Sequence, residues 1–283
     1  MPSLLSDITT RLASISDTPA LDASVLLAHI VNKSRTWIVA HPELRLTAEQ
    51  QKTLEDALIR LENGDSFPYV IGHWEFFGLD FDITPDVLIP RPETELLVEK
   101  SISWLKKNPE RRSIADIGTG SGAIAISIAI NISDAEILGT DISPNALQVA
   151  KRNAEKQGVG KRIQFIDCDL LPPQSSIKNR KSKIDLLCAN LPYVPTETLH
   201  HLPVYGHEPT LALDGGIDGF HLIQKLMKML PEWLAPKSLM LFEIEDSLGK
   251  QALNLAQNIF PNEKIRLHQD LTGRDRLLEI ELS

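Results

Sequence analysis

The sequence predicts an α/β protein in which a small helical bundle precedes a doubly wound, mostly parallel sheet that ends in an antiparallel hairpin. Three observations carry this. From Arg112 onward, short apolar runs alternate with amphipathic stretches, the pattern of strands joined by crossover helices. The last two apolar runs, 265–271 and 277–282, are joined only by Thr272-Gly273-Arg274-Asp275, too few residues for a crossover helix, so they pair antiparallel. Between Leu4 and Gly64 the apolar residues recur at helical spacing instead. A length of 283 residues suits two domains better than one.

The bundle rests on Leu4, Leu5, Ile8 and Leu12, on Leu21, Val25, Leu26 and His29, and on Leu54, Leu58 and Leu61. Its last helix starts at a capping box, Thr47-Ala48-Glu49-Gln50, and Gly64 closes it as the residue after the cap. From Phe67 to Ile83 aromatic and β-favouring residues gather around Gly72 and Gly78, which predicts a hairpin linking the domains. The expected division is a bundle over 1–66, a hairpin linker over 67–88 and an α/β domain over 89–283. In that domain Pro90 and Pro92 impose an extended loop before a helix ending at Lys107. Strands follow at 114–117, 137–142, 163–166, 184–189 and 239–244, with helices from Ser121 and over 144–157, 219–234 and 247–260.

Composition narrows the function classes. Hydrophobic residues make up 42% and charged residues 24%, with a mean hydropathy of -0.09, enough for a large core. The most apolar stretch, 122–132, contains Ser127 and Asn131 and is too short for a membrane span. Residues 1–16 lack a cationic start followed by an apolar block, so a cytoplasmic protein is expected. Cys168 and Cys188 form no CxxC pair and read as core thiols on strands. A formal charge of -9 is a poor basis for gripping nucleic acid, which favours a protein or small-molecule partner.

Asp116-Ile117-Gly118-Thr119-Gly120-Ser121-Gly122 lies where the first strand of the large sheet gives way to a helix, the edge at which open α/β folds bind ligands. Its glycines either admit a ligand close to the backbone or only make a tight turn. Asp141, ending the next strand, can accept from both ribose hydroxyls or cap the following helix; Ser143 before Pro144 can take the cap instead. Asp169 can accept from an adenine amino group with Leu170 covering the ring, or be a solvated loop carboxylate. A dinucleotide would want GxGxxG and a cation for its phosphates. Here the third glycine comes one residue early and 116–122 hold no Lys or Arg, which suits S-adenosylmethionine, a cationic sulfonium without phosphate. A NAD-dependent oxidoreductase and a cofactor-binding adaptor without turnover are the rival classes.

After the fourth strand comes Asn190-Leu191-Pro192-Tyr193. Asn190 and the Leu191 carbonyl, aimed by Pro192, can grip an NH2 group, while Tyr193 offers a flat face to a planar substrate. The tetrapeptide resembles the (N/D/S)PP(Y/F/W) motif of class I methyltransferases that act on planar amino or amide nitrogens. Within that class the match is to the protein-(glutamine-N5) methyltransferase family acting on class 1 peptide-chain release factors. Gly72-His73-Trp74-Glu75-Phe76-Phe77-Gly78-Leu79, Leu88-Ile89-Pro90-Arg91-Pro92-Glu93-Thr94-Glu95, Glu208-Pro209 and residues 212–219 resemble that family too. The segment 89–95 separates it from a sister group that modifies a ribosomal protein.

The resemblance implies a Rossmann-like class I fold and S-adenosylmethionine as cofactor. Gly118, Thr119, Gly120, Ser121, Gly122, Asp141, Asp169, Leu170 and Asn190 would then hold the cofactor, and Asn190, Leu191, Pro192 and Tyr193 the reacting amide. A release factor is the implied protein partner, docked by the bundle of a monomer. One position departs: the family usually has proline where Leu191 stands, and Asn-Leu-Pro-Tyr is similar to dimethyladenosine transferases, leaving as alternatives an adenine N6 substrate in RNA or DNA, or a glutamine of a ribosomal protein. His200, His201, His207 and Glu208 show no regular metal-ligand spacing and read as a surface loop. Arg91 either meets a cofactor or substrate carboxylate or pairs with Glu93 or Glu95. Trp37 and Trp233 read as core anchors.

Overall fold

The computed structural model describes residues 3–173 and 183–283, so Met1 and Pro2 of the amino-terminal stretch lie outside it. The chain divides into two compact units, Met1–His73 and Trp74–Ser283.

The first unit is helical: α1 (Leu4–Leu12), α2 (Pro19–Val31), α3 (Arg35–Ala40), α4 (Ala48–Glu62) and α5 (Phe67–Ile71). Ser3 and Ser34 cap α1 and α3 by accepting from an amide three residues on. Thr47 and Gln50 form the expected reciprocal capping box of α4. Leu12, Leu26, Leu27, Ile38 and Leu58 are buried between the helices. Arg11 ties α1 to α4 by reaching Glu55 and Glu62, each at 2.6 Å.

Helix α5 corrects the sequence reading, which put a strand there. Pro68 sits in its first turn with φ already set for a helix, and its tyrosine and isoleucine are buried, so packing overrides β propensity. The hairpin is shorter than expected, β1 (His73–Phe76) paired with β2 (Leu79–Asp82). Both turn residues, Phe77 and Gly78, have positive φ, as a two-residue hairpin turn requires. Trp37 also differs from expectation: it stacks on His41 at 4.0 Å and stays partly exposed.

The second unit carries a seven-stranded sheet in the order β5-β4-β3-β6-β7-β9-β8. Its strands are β3 (Ser113–Ile117), β4 (Glu136–Asp141), β5 (Ile163–Asp167), β6 (Ile184–Ala189), β7 (Leu234–Glu243), β8 (Lys264–Gln269) and β9 (Asp275–Glu281). The first five are parallel neighbours, and β9 is antiparallel to both β7 and β8. Helices α6 (Glu95–Lys107), α7 (Ala123–Asn131), α8 (Pro144–Lys156), α10 (His221–Met229) and α11 (Gly249–Ile259) flank it, and the short α9 (Thr196–Leu199) follows β6. Strands β3 and β6 are buried at every residue, as central parallel strands covered on both faces must be. The order reverses between β3 and β6, so a crevice opens at their carboxyl ends. Among the described residues no helix is long and apolar enough to cross a membrane.

Candidate functional site

The glycine loop leaves β3 with Gly118, Gly120 and Gly122 all at positive φ. At Gly118, φ is +72° and a Cβ would lie 3.0 Å from Leu191 Cδ2, so both conformation and space call for glycine. Asp116, fully buried beneath the loop, accepts through Oδ2 from Thr119 Oγ1 at 2.6 Å and from the Ala125 amide at 3.2 Å. These bonds fold the loop onto the first turn of α7. Its Oδ1 meets no partner, and burial pushes the carboxyl up to about 7. Thr119 N donates to the Thr140 carbonyl at 2.8 Å, tying the loop to β4.

Asp141 is the other tie. Its Oδ2 accepts from Gly120 N and its Oδ1 from Ser143 N, both at 2.9 Å. The helix cap falls to Ser143, whose Oγ accepts from Ala146 N at 3.2 Å. Burial raises the Asp141 carboxyl above its usual range. After β5, Asp169 is ion-paired with Lys225, and Leu170 is held at φ +66° with its carbonyl accepting from Thr140 Oγ1 at 2.7 Å. Cys188 lies buried on β6 as expected, whereas Cys168 follows the end of β5 and borders the crevice.

On the other side of the crossover, β6 delivers Asn190. Its Nδ2 donates to Thr94 Oγ1 at 3.1 Å, Thr94 coming from a 3-10 turn over Pro92–Thr94. Glu243, the last residue of β7, follows Phe242, the register partner of Ala189, and so comes beside Asn190. Glu243 is buried, its Oε2 lacks a partner, and burial pushes its carboxyl up to about 7. The Leu191 side chain is buried on the glycine loop. Residues 192–195 are braced from outside: Val194 N donates to the Leu213 carbonyl at 3.0 Å and Gly215 N to the Val194 carbonyl at 2.8 Å. A Cβ on Gly219 would fall 2.3 Å from the Tyr193 carbonyl, so only glycine lets this strap close.

Together these elements enclose a cavity of about 370 Å3, within the roughly 300–1,000 Å3 of small-molecule sites. Gly118, Thr119, Gly120, Ser121, Asp141, Asp169, Leu170, Asn190, Leu191 and Pro192 all line it. Gly122 and Tyr193 do not: Gly122 packs against Ile126 and Ala150, and the partly exposed Tyr193 ring lies against the core, its hydroxyl pushed up to about 12 by burial.

Arg91 lines the cavity, but its partner is Glu208, neither of the glutamates beside it in sequence. Glu95 instead accepts from the Phe77 amide at 2.9 Å. Thr94 and Glu208 lie in segments that the family resemblance named without giving them a role, and Glu243, beside Asn190 at the end of β7, was not singled out. The signal for Glu243 was present, a carboxylate inside the apolar run Leu239–Ile244. Among the described residues no group of three or more His, Cys, Asp or Glu is arranged to hold a metal ion.

The donor set fits S-adenosylmethionine. Asp141 and Asp169 line the cavity together with Ile142, Leu170 and Leu222, and the loop 116–122 carries no cation for a phosphate.

Comparison with known proteins agrees. Residues 3–72 match a family model described as PrmC N-terminal domain, and residues 110–259 one described as methyltransferase domain. A release factor glutamine methyltransferase of Moorella thermoacetica is 39% identical over 259 residues, covering 91% of this chain and 89% of its own. One of Coxiella burnetii is 36% identical over 278 residues, 96% and 95% of the two chains. Among solved structures, a Thermus thermophilus 16S rRNA methyltransferase in complex with AdoMet and guanosine superposes with a TM-score of 0.52 at 16% identity, over 75% of this chain and 50% of that one. The last likeness speaks to fold alone. The chain therefore belongs to the release factor glutamine methyltransferases, S-adenosylmethionine-dependent enzymes of the class I fold.

Proposed function

We propose that the protein transfers a methyl group from S-adenosylmethionine to the side-chain amide nitrogen, N5, of a glutamine in class 1 peptide-chain release factors. The supporting observation is Asn190 at the cavity wall, its Nδ2 committed to Thr94 and its oxygen left for an incoming N–H. The cofactor, when bound, supplies an electrophilic methyl on a cationic sulfur.

An amide nitrogen is a weak nucleophile because its lone pair is delocalised into the carbonyl. Asn190 Oδ1 and the Leu191 carbonyl accept the two N–H bonds of the substrate amide and hold its plane so that the nitrogen faces the methyl. Pro192 fixes the direction of the Leu191 carbonyl, so the departure from the family's usual proline at 191 leaves this contact available. The exposed part of the Tyr193 ring packs on the amide. Positioning of this kind contributes roughly 7–11 kcal/mol in well-oriented reactions, and the methylated nitrogen then releases its proton to water. Gly118, Thr119, Gly120, Ser121 and Gly122 shape the cofactor loop, Asp141 takes the ribose hydroxyls, and Asp169 with Leu170 takes the adenine.

The amino-terminal unit is assigned to docking the release factor, since a stable protein contact needs roughly 800 Å2 per partner, more than a pocket rim offers. The protein is read as a cytoplasmic monomer. Transfer of tritium from S-adenosylmethionine to purified release factor, with a peptide map placing the label on one glutamine, tests the assignment. Labelling of ribosomal RNA in place of the release factor would move the substrate to an adenine amino group. Deleting the chain up to His73 is expected to raise the KM for release factor while leaving affinity for S-adenosylhomocysteine nearly unchanged.

A further inference from the structure

We propose that Glu95 and Asn153 are positioning residues that, through the hairpin β1–β2, hold the methyl-donor wall and the amide-acceptor wall of the cavity in register. The inference rests on the reading of Asn190 as the acceptor for the substrate N–H. It gives the hairpin a part in the transfer beyond that of a linker.

At the hairpin turn, Phe77 has a φ of +53° and its amide donates to Glu95 Oε1 at 2.9 Å. That bond closes residues 77–95 into a ring. Within the ring, Asp86, Val87, Leu88, Pro90, Arg91 and Thr94 line the cavity. Thr94, next to the closing residue, is the group that receives Asn190 Nδ2, so this end of the frame stands on the substrate wall. At the other end, Asn153 on α8 is fully buried and uses both ends of its carboxamide. Its Oδ1 accepts from Asp82 N at 2.7 Å, and its Nδ2 donates to the carbonyls of Asp82 at 3.0 Å and of Ser121 at 2.9 Å. Ser121 belongs to the glycine loop and lines the cavity, so one side chain joins the hairpin to the cofactor wall.

Keeping the hairpin attached does not call for these two residues. Phe76 and Phe81 are buried and meet edge to face at 6.2 Å. Lys156 pairs with Asp80 and Asp82 at 2.7 and 2.6 Å, and Gln157 Nε2 donates to the Asp80 carbonyl at 2.9 Å. A buried carboxamide is unfavourable unless its polar atoms are met, a demand that an apolar residue in its place would not make. What Asn153 adds is direction, because hydrogen bonds fix distance and angle where apolar packing fixes only proximity. Methyl transfer depends on such alignment: a misplacement of about 1 Å costs about 10²-fold in rate.

The test is a double-mutant cycle on the full chain, with kcat for methylation of release factor, affinity for S-adenosylhomocysteine and stability in urea measured for each variant. Glu95→Ala and Asn153→Ala each open one end of the frame. Each should lower kcat at saturating substrates by about ten- to a hundredfold, with cofactor affinity changed far less. A frame open at one end no longer transmits, so the double variant should be no slower than the slower single, while the losses of urea stability add. Glu95→Gln keeps an acceptor for Phe77 N and should regain most of the kcat lost in Glu95→Ala. Losses of kcat that multiply would mark two separate local supports and overturn the proposal. So would a Gln variant as slow as Ala, which would mark a charge acting at the start of α6, or a loss of cofactor affinity in Asn153→Ala as large as its loss of kcat. Hydrogen exchange on the unaltered protein adds a readout that depends on no variant. S-adenosylhomocysteine should slow exchange at the Phe77 amide as well as at Asp82, and an unchanged Phe77 amide likewise overturns the proposal. The Asn190→Ala variant separates the two levels. If it stays active, the reading of Asn190 itself is wrong; if it is inactive while Glu95→Ala and Asn153→Ala turn over at the full rate, only the frame is wrong.

Discussion

The two halves of the cavity are built differently. On the cofactor side, the ties run through backbone: Gly120 N to Asp141, Thr119 N to the Thr140 carbonyl, and Cys168 N to the Asp141 carbonyl at 3.0 Å. These three ties lie within residues 116–170, where consecutive strand ends lie side by side in the sheet, with Lys225 reaching Asp169 from α10. On the substrate side, the ties run through side-chain ends brought from remote parts of the chain: Thr94 to Asn190, and Arg91 to Glu208. A backbone cradle tolerates most side-chain changes that keep φ and space. A chain of side-chain hydrogen bonds fails at any link, because each group's donor or acceptor role depends on its neighbour's.

The largest effect should therefore come from the substrate side. Asn190→Ala removes the proposed acceptor at the reacting nitrogen. Loss of a preorganised polar contact of this kind costs about 10²–10³-fold in kcat. Affinity for S-adenosylhomocysteine, measured by calorimetry, should weaken only moderately, since the glycine loop, Asp141, Asp169 and Leu170 assigned to the cofactor are left intact. Full activity in this variant would end the assignment of the substrate half.

Next is Gly118→Ala. Alanine at φ +72° costs roughly 1–2 kcal/mol in the left-handed region, and its Cβ would press on Leu191, the residue whose carbonyl is assigned to the substrate. Both denaturant stability and S-adenosylhomocysteine affinity should fall. A loss of stability with unchanged affinity would show that the loop holds the fold without cradling the cofactor.

This difference in construction also governs what could be read from sequence. The glycine loop, Asp141 with its Ser143 cap, and the capping box at Thr47 are local patterns whose partners lie within a few residues or at the next strand end, so spacing exposes them. Glu208 pairs with a residue 117 positions away, and nothing in the spacing of Arg91 points to it over the adjacent glutamates. Glu243 likewise comes beside Asn190 only because β7 lies beside β6. Helix α5 was hidden for another reason. Its aromatic residues favour strands on average, while Pro68 and burial decide the local outcome.

Asp141→Ala sharpens the contrast. It leaves two amides, Gly120 N and Ser143 N, without their acceptor. Hydrogen bonds to a charged group are worth about 1.5–3 kcal/mol, so cofactor affinity should fall by roughly ten- to a hundredfold. At saturating S-adenosylmethionine kcat should be nearly restored. An equal loss of kcat at saturation would mean that the cofactor loop also sets the substrate geometry, erasing the division between the halves.

The smallest expected effect concerns what the halves share. Each buries one carboxyl raised to about 7, Asp116 under the loop and Glu243 behind Asn190, both chiefly by desolvation. In the unfolded chain such groups titrate near 4, so between about pH 4 and pH 7 the folded protein holds protons that the unfolded chain has released. Stability is then fully expressed below about pH 4 with respect to these two groups and declines as pH rises through 7. Asp116→Asn and Glu243→Gln each remove one share of that decline. Their melting temperatures relative to the parent should rise between pH 5 and pH 8, with the two slopes adding because the carboxyls sit in separate networks. A difference that stays flat with pH would show that the carboxyl replaced is ionised in the folded protein as readily as in water.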